Sequence, residues 1–217
     1  MAAAAVSDDS QHVYKIVVIG ESKVGKSSIV QRYVRGVFST NYKSTLRVDF
    51  AIKTLDIDSH TKVVVQLWDL AGQDRNPALL RCYVKDAAGA LVVFDVTEPQ
   101  SFKQVQAWKK SLDALIQLPD DTSIPCVLLA NKCDQPKSGI INCTEEMDVY
   151  CNDNGFERWF ETSAKDDFNI SEAFQFLVRK IMDYKNLHLS DWSIIREEEI
   201  RLIPNTIDEF TIRSRRC

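Results

Sequence analysis

Eight residues set the tightest limit on what this chain can fold into. Gly20-Glu-Ser-Lys-Val-Gly25-Lys26-Ser27 fits the pattern GxxxxGK[ST]. Before it lies a β-branched apolar run, residues 13–19 (VYKIVVI), that predicts a buried strand. After it, Ile29, Val30, Tyr33 and Val34 recur at helical spacing over residues 26–35. Strand, glycine loop and helix in that order make a phosphate cradle. Glycine at both ends lets the backbone curl until successive N–H groups point inward. The helix N-terminus adds positive potential. Lys26 can neutralise the terminal phosphates and the Ser27 hydroxyl can bind Mg²⁺; Ser22, Lys23, Val24, Gly25 and Ser28 complete the candidate lining. The bland alternative, a plain glycine turn, has to explain agreement at every motif position and on both flanks.

The rest of the chain alternates strands and helices. Residues 48–56 and 62–69 read as an antiparallel hairpin around a short polar turn. Residues 90–96, 124–130 and 156–161 read as further strands. Between and after them the pattern predicts a short helix ending near Lys85 and one long amphipathic helix from Pro99 through Leu115. A helix with Thr144 as N-cap and a closing helix over residues 170–184 follow. Near-continuous apolar strands alternating with helices predict a three-layer α/β fold: a six-stranded, mostly parallel sheet with one antiparallel strand and about five helices. Residues 1–12 are expected to be disordered, 13–184 to form the domain and 185–217 to be a flexible tail.

Composition narrows the function classes. Apolar residues are 45% and charged residues 27% of 217, as in a globular domain. The longest uncharged apolar run, residues 87–94, is far short of the ~20 needed to span a bilayer. A net charge of −4 argues against a general nucleic-acid binder. The six cysteines form no CxxC pair, which suggests reduced thiols rather than a disulfide framework or a zinc site. The first residues have neither a basic stretch nor an apolar core like a signal peptide's, and Ala2 excludes N-myristoylation.

Which base accompanies the phosphates is read from Asn131-Lys132-Cys133-Asp134, at the end of the third buried strand. There an Asp134 carboxylate can accept two hydrogens from guanine, N1–H and the exocyclic amino group. Adenine offers no such pair, and a buried unpaired acceptor costs ~1–3 kcal/mol. Asn131 would tie loops together and the Lys132 stem would cover the base. After the last strand, Ser163-Ala164-Lys165 places an N–H at Ala164 that can reach guanine O6.

These three motifs, in this order, resemble the small GTPases of the Ras superfamily over about residues 13–184. Residues 68–75 (WDLAGQDR) and Val48-Asp49-Phe50 resemble the Rab branch, and residues 128–134 and 159–165 its subgroup serving lysosome-related organelles. The resemblance implies a P-loop GTPase fold, GTP/GDP and Mg²⁺ as ligands, and a set of roles. Thr45 would bind Mg²⁺ and sense the γ-phosphate; Asp69 would reach Mg²⁺ through water. Gly72 would hold the γ-phosphate and Gln73 would orient the attacking water. Phe38 would cover the edge of the guanine, and Tyr42 belongs to the same loop. Phe50, Trp68 and Tyr83 would be the exposed aromatic triad that grips effectors, with core packing as the alternative for Trp68. Two loops, about 38–48 (switch I) and 69–83 (switch II), would order around GTP and relax on hydrolysis. Turnover would be slow, on the order of 10⁻⁴ to 10⁻² s⁻¹, for lack of an arginine finger in cis. Implied partners of a monomeric switch are an exchange factor, an activating protein, a GDP-dissociation inhibitor or escort protein, and effectors on organelle membranes. The implied location is the cytosol and the cytoplasmic face of endosomal, lysosomal or lysosome-related membranes.

Four positions depart from the Rab pattern: Lys23 and Arg47 stand where glycine is usual, Asp74 replaces Glu, and Asn76 replaces an aromatic. Drift in a divergent member is one reading. A GTP-binding scaffold with little turnover, motivated by Lys23, Arg47 and Asn76, is another; a small-molecule kinase is disfavoured by Asp134 and Gln73. Cys217 is a candidate prenylation site beside Arg213, Arg215 and Arg216. The stretch from 186 onward is not polybasic as a whole, having five Arg against six acidic residues.

Overall fold

The computed structural model describes residues 10–41, 43–58, 61–73, 76–116, 122–137 and 143–187. Strand β1 (Ser10–Gly20) has a parallel partner on each side: Val17 lies opposite Trp68 of β3 (Thr61–Leu70) and opposite Ala90 of β4 (Gly89–Asp95). Beyond β4 follow β5 (Cys126–Asn131) and β6 (Arg158–Thr162), both parallel. At the other edge β2 (Val48–Asp56) runs antiparallel to β3, with Phe50 opposite Trp68. The sheet order is β2-β3-β1-β4-β5-β6, the mixed six-stranded sheet expected from the alternation.

Strand periodicity divides the core into two layers. Ile16 and Val18 of β1, Leu91 and Val93 of β4, and Val127 and Leu129 of β5 face α1 (Lys26–Arg35) and α6 (Ile170–Leu187). There Tyr33 stacks on Phe174 with ring centroids 3.8 Å apart. Val17, Ile19, Val92, Phe94 and Leu128 face the opposite way. They are covered by α2 (Pro77–Val84), α4 (Val105–Leu115) and α5 (Thr144–Asp153). Every residue of β4 and β5 is buried, which is why neither shows polar alternation in sequence.

Several boundaries differ from those predicted. β1 starts at Ser10, so residues 10–12, expected to be disordered, continue the ladder opposite Thr61, Lys62 and Val63. β5 starts at Cys126 rather than 124 because Pro125 has no N–H to give a ladder. The last strand starts at Arg158: the Phe156 N–H is spent on Cys151 O at 2.9 Å, a turn bond that closes α5. The single long helix is two, α3 (Pro99–Lys103) and α4, parted at Gln104, whose N–H bonds to Phe102 O. The bend lets Phe102 pack between Phe94 (5.0 Å) and Tyr150 (4.8 Å). Cys143, not Thr144, is the N-cap residue of α5, and its side chain makes no cap bond. The closing helix runs on to Leu187. Among the described residues no helix is long and apolar enough to cross a membrane.

Candidate nucleotide site

From β1 the chain turns to one side of the sheet, and after β3 it crosses to the other. That reversal opens a crevice at the carboxyl ends of the strands. The loops after β1, β3, β5 and β6 close over it around a cavity of about 540 Å³.

At one end lies the phosphate loop. Lys26 is buried, and its ammonium donates to Gly20 O (2.9 Å) and Glu21 O (2.6 Å). Burial lowers its pKa to about 8, against the opposing pull of Asp69. Gly25 has φ +98°, and a Cβ there would strike the Asn131 amide. This close approach is where the phosphate loop meets the base-side loop. Asn131 is buried and donates to Val24 O at 2.8 Å, while accepting from Thr162 Oγ1 at 3.3 Å. It ties the ends of β5 and β6 to the phosphate loop. From behind, the Trp108 indole of α4 donates to Glu21 Oε1 at 3.1 Å. Lys23 is in the left-handed region, φ 65°, a conformation that costs a side chain ~1 kcal/mol.

Beside this loop three oxygen-bearing side chains converge. Ser27 Oγ donates to Asp69 Oδ2 and lies 2.8 Å from Thr45 Oγ1. Asp69 is buried, and its Oδ1 has no hydrogen-bond partner among the described residues. Burial raises the Asp69 pKa to about 6; the Ser27 hydrogen bond and the Lys26 charge hold it from going higher. Two hydroxyls and a buried carboxylate with one orphaned oxygen suit a hard divalent cation that keeps waters and phosphate oxygens in its shell. The donor set therefore fits magnesium.

Gly72 is pressed against this end of the cavity: a Cβ there would fall 2.6 Å from Glu21 O. Gln73 is exposed and lines the cavity. Arg47, φ 73°, accepts the Ala71 N–H at 2.7 Å, so one main-chain bond links the loop before β2 to the loop after β3. Asn76 caps α2, its side chain accepting from Ala78 N at 3.0 Å ahead of Pro77. That is a local reason for an asparagine where the pattern has an aromatic.

At the opposite end Asp134 Oδ1 accepts from Ser163 Oγ at 2.8 Å. Oδ2 is buried and has no hydrogen-bond partner among the described residues; the Lys165 ammonium stands 3.6 Å away. Lys132, φ 67°, pairs with Asp95 at 2.6 Å. Phe38, Lys132, Ala164 and Lys165 line this part of the cavity.

Of the residues expected at the site, Ser22, Lys23, Gly25, Lys26, Ser27, Ser28, Phe38, Thr45, Gly72, Gln73, Asn131, Lys132, Asp134, Ala164 and Lys165 all line one cavity. Three stand behind it. The Val24 side chain is in the core, Ser163 is buried behind Asp134, and Asp69 is buried behind Ser27. Tyr42, Asp74 and Cys217 lie outside the described residues. Sequence reading named neither Gln31 and Gln135, which no motif marks, nor Ala71 within the quoted 68–75 stretch, nor Ser39, Thr40, Asn41, Lys43 and Ser44 of the loop before β2. The aromatic triad is not uniformly exposed: Phe50 is 42% exposed, whereas Trp68 and Tyr83 are half-buried. Phe50 meets Trp68 edge-on at 5.6 Å, and the Lys15 ammonium covers Trp68 at 4.0 Å.

Comparison with known proteins agrees with this architecture. Residues 15–183 match the Ras family. The chain is 50% identical to Ras-related protein Rab-32 of Homo sapiens over 181 residues, 83% of this chain and 80% of that one. It is 48% identical to Rab-32A of Dictyostelium discoideum, over 80% of each chain. To Ras-related protein Rab-7L1 of Homo sapiens it is 43% identical, over 79% of this chain and 83% of that one. With this match over most of its length and these relatives, the chain belongs to the Ras family of small GTPases, in its Rab branch.

Proposed function

We propose that the chain is a Rab-like GTP hydrolase whose two loops switch effector binding in vesicle traffic, at endosomal, lysosomal or lysosome-related membranes. The observation that carries the nucleotide reading is the Asp134 oxygen buried across the cavity from the phosphate loop with no hydrogen-bond donor among the described residues, only the Lys165 ammonium at 3.6 Å. Guanine supplies the two N–H donors such a carboxylate needs, and the Ala164 N–H would meet O6. In the reaction water attacks the γ-phosphorus and the bond to the β–γ bridging oxygen breaks, leaving GDP and inorganic phosphate. Lys26 would hold the β and γ phosphates, the Gly72 N–H the γ-phosphate, and Gln73 the attacking water. Ser27 and Thr45 would hold magnesium directly and Asp69 through water. When bound, that ion neutralises charge on the β and γ phosphates. Loss of the γ-phosphate releases Thr45 and Gly72, and with them both loops.

Single-turnover hydrolysis tests the enzyme reading. The wild-type chain is expected to turn over at on the order of 10⁻⁴ to 10⁻² s⁻¹ without an activating protein. Gln73→Leu is expected to cut that rate at least ~10-fold while GTP still binds, because only water positioning is lost. A second reading, a nucleotide-binding scaffold, draws on Lys23, a strained cationic residue in the cavity wall. Wild-type turnover no faster than that of Gln73→Leu would favour it.

The proposal includes regulators of the family's kinds: exchange factor, activating protein, and GDP-dissociation inhibitor or escort. Membrane attachment is assigned to a prenyl thioether on Cys217. Mass spectrometry of protein from its own cells is expected to show the adduct, and a bare thiol throughout would refute this part alone.

A further inference from the structure

We propose that Arg32 is a positioning residue that fastens the guanine-reading loop to the root of switch I, so that nucleotide retention and base selectivity both depend on it. The proposal rests on the nucleotide reading above. Arg32 lies in the second turn of α1 and reaches across to the loop after β6. Its Nε donates to Ala164 O at 2.8 Å and its Nη2 to Lys165 O at 2.9 Å. Nη1 turns back to Gly36 O at 2.7 Å. The Arg32 carbonyl in turn accepts the Gly36 N–H at 2.9 Å, ending α1 at a left-handed glycine, φ 68°. One residue thus grips Gly36 by both its N–H and its C=O, two positions before Phe38.

Three carbonyls in three directions suit a planar guanidinium. Its N–H groups form a fixed fork, where an ammonium is a point charge. Bonds from a cation to carbonyls are also stronger than neutral ones. Their placement matters more than their number. Holding the carbonyls of Ala164 and Lys165 sets the peptide planes on either side of Lys165, whose ammonium stands 3.6 Å from Asp134. The other end of the loop is held by Ser163, which donates to Asp134 and accepts the Asp166 N–H at 3.0 Å. Asp134, on the neighbouring loop after β5, is therefore set against a loop after β6 that Ser163 ties to it and Arg32 holds in place, and Arg32 is the clamp that also reaches switch I.

The test uses the full chain loaded with GDP or with inosine diphosphate, whose base lacks the exocyclic amino group. Dissociation rates and thermal unfolding are measured for wild type, Arg32→Ala and Arg32→Lys. Arg32→Ala is expected to release GDP roughly 10- to 50-fold faster, from the loss of charge-assisted bonds to two carbonyls. Inosine diphosphate should speed up by a smaller factor, so the preference for guanine narrows. Arg32→Lys should recover part of both effects. GDP release unchanged in Arg32→Ala would overturn the proposal. So would equal acceleration of both nucleotides with a lowered melting temperature, which would make Arg32 a structural staple only. If Arg32→Ala does not fold, Arg32→Lys against wild type is judged by the same two criteria. A wild-type chain that retains no GDP would instead overturn the nucleotide reading itself.

Discussion

Asp134→Asn is expected to change which purine this chain holds. In the wild type Oδ1 is occupied by Ser163 and Oδ2 is left as a buried acceptor. An asparagine that keeps its oxygen on Ser163 turns its NH₂ toward the base. Donor then meets donor: guanine loses the Oδ2 acceptor, and the amide and the base are each left with an unpaired N–H out of water. Sites built on such hydrogen bonds reject the mismatched partner strongly, so GTP affinity should fall on the order of 10³-fold. Xanthine carries a carbonyl where guanine has its amino group, and it should gain what guanine loses. Competition binding with GTP and xanthosine triphosphate measures both arms. A variant that still prefers GTP, or that binds neither while the wild type binds GTP, would remove Asp134 from base reading.

Ser27→Asn is expected to separate the two nucleotides. Ser27 Oγ lies between Asp69 and Thr45, in the corner whose oxygens fit a divalent cation. A longer amide fills that corner and points N–H groups at the Asp69 carboxylate, occupying the acceptor that a cation or its waters need. GTP, with the γ-phosphate to neutralise, depends on that cation more than GDP does. GTP affinity should fall about 10²-fold with GDP affinity much less affected. Titration of each nucleotide with and without magnesium would show this, and tagged protein in cells should lose its organelle location. Equal affinities for GTP and GDP in the variant, still responsive to magnesium, would refute the assignment of Ser27 to the cation.

Much of the fold was legible because its signals are local. Val13 to Ile19 reads as a strand wherever the chain sits, and Gly20 to Ser27 carries its own backbone requirement. Alternating strands and helices left few topologies open. Local signals failed where a distant contact set the outcome. The first strand gains residues 10–12 because β3 offers them a parallel ladder. The long helix bends at Gln104 so that Phe102 can pack on Phe94 and Tyr150. Trp68 reads either as an exposed effector aromatic or as core, and it is half-buried with a lysine from β1 over its ring.

The same division holds within the site. The candidate phosphate-binding and base-reading residues are written in short motifs, since a loop that wraps phosphate or pairs with a purine needs particular atoms at particular spacings. What holds those loops to one another is not. Asn131 reaches Val24 across 107 positions, and Arg32 reaches Ala164 across 132. Each of these bonds ends on a main-chain carbonyl, a group every residue possesses, so no side-chain pattern marks the acceptor. Only when the sheet has brought the loops together does one carbonyl among hundreds become the right one.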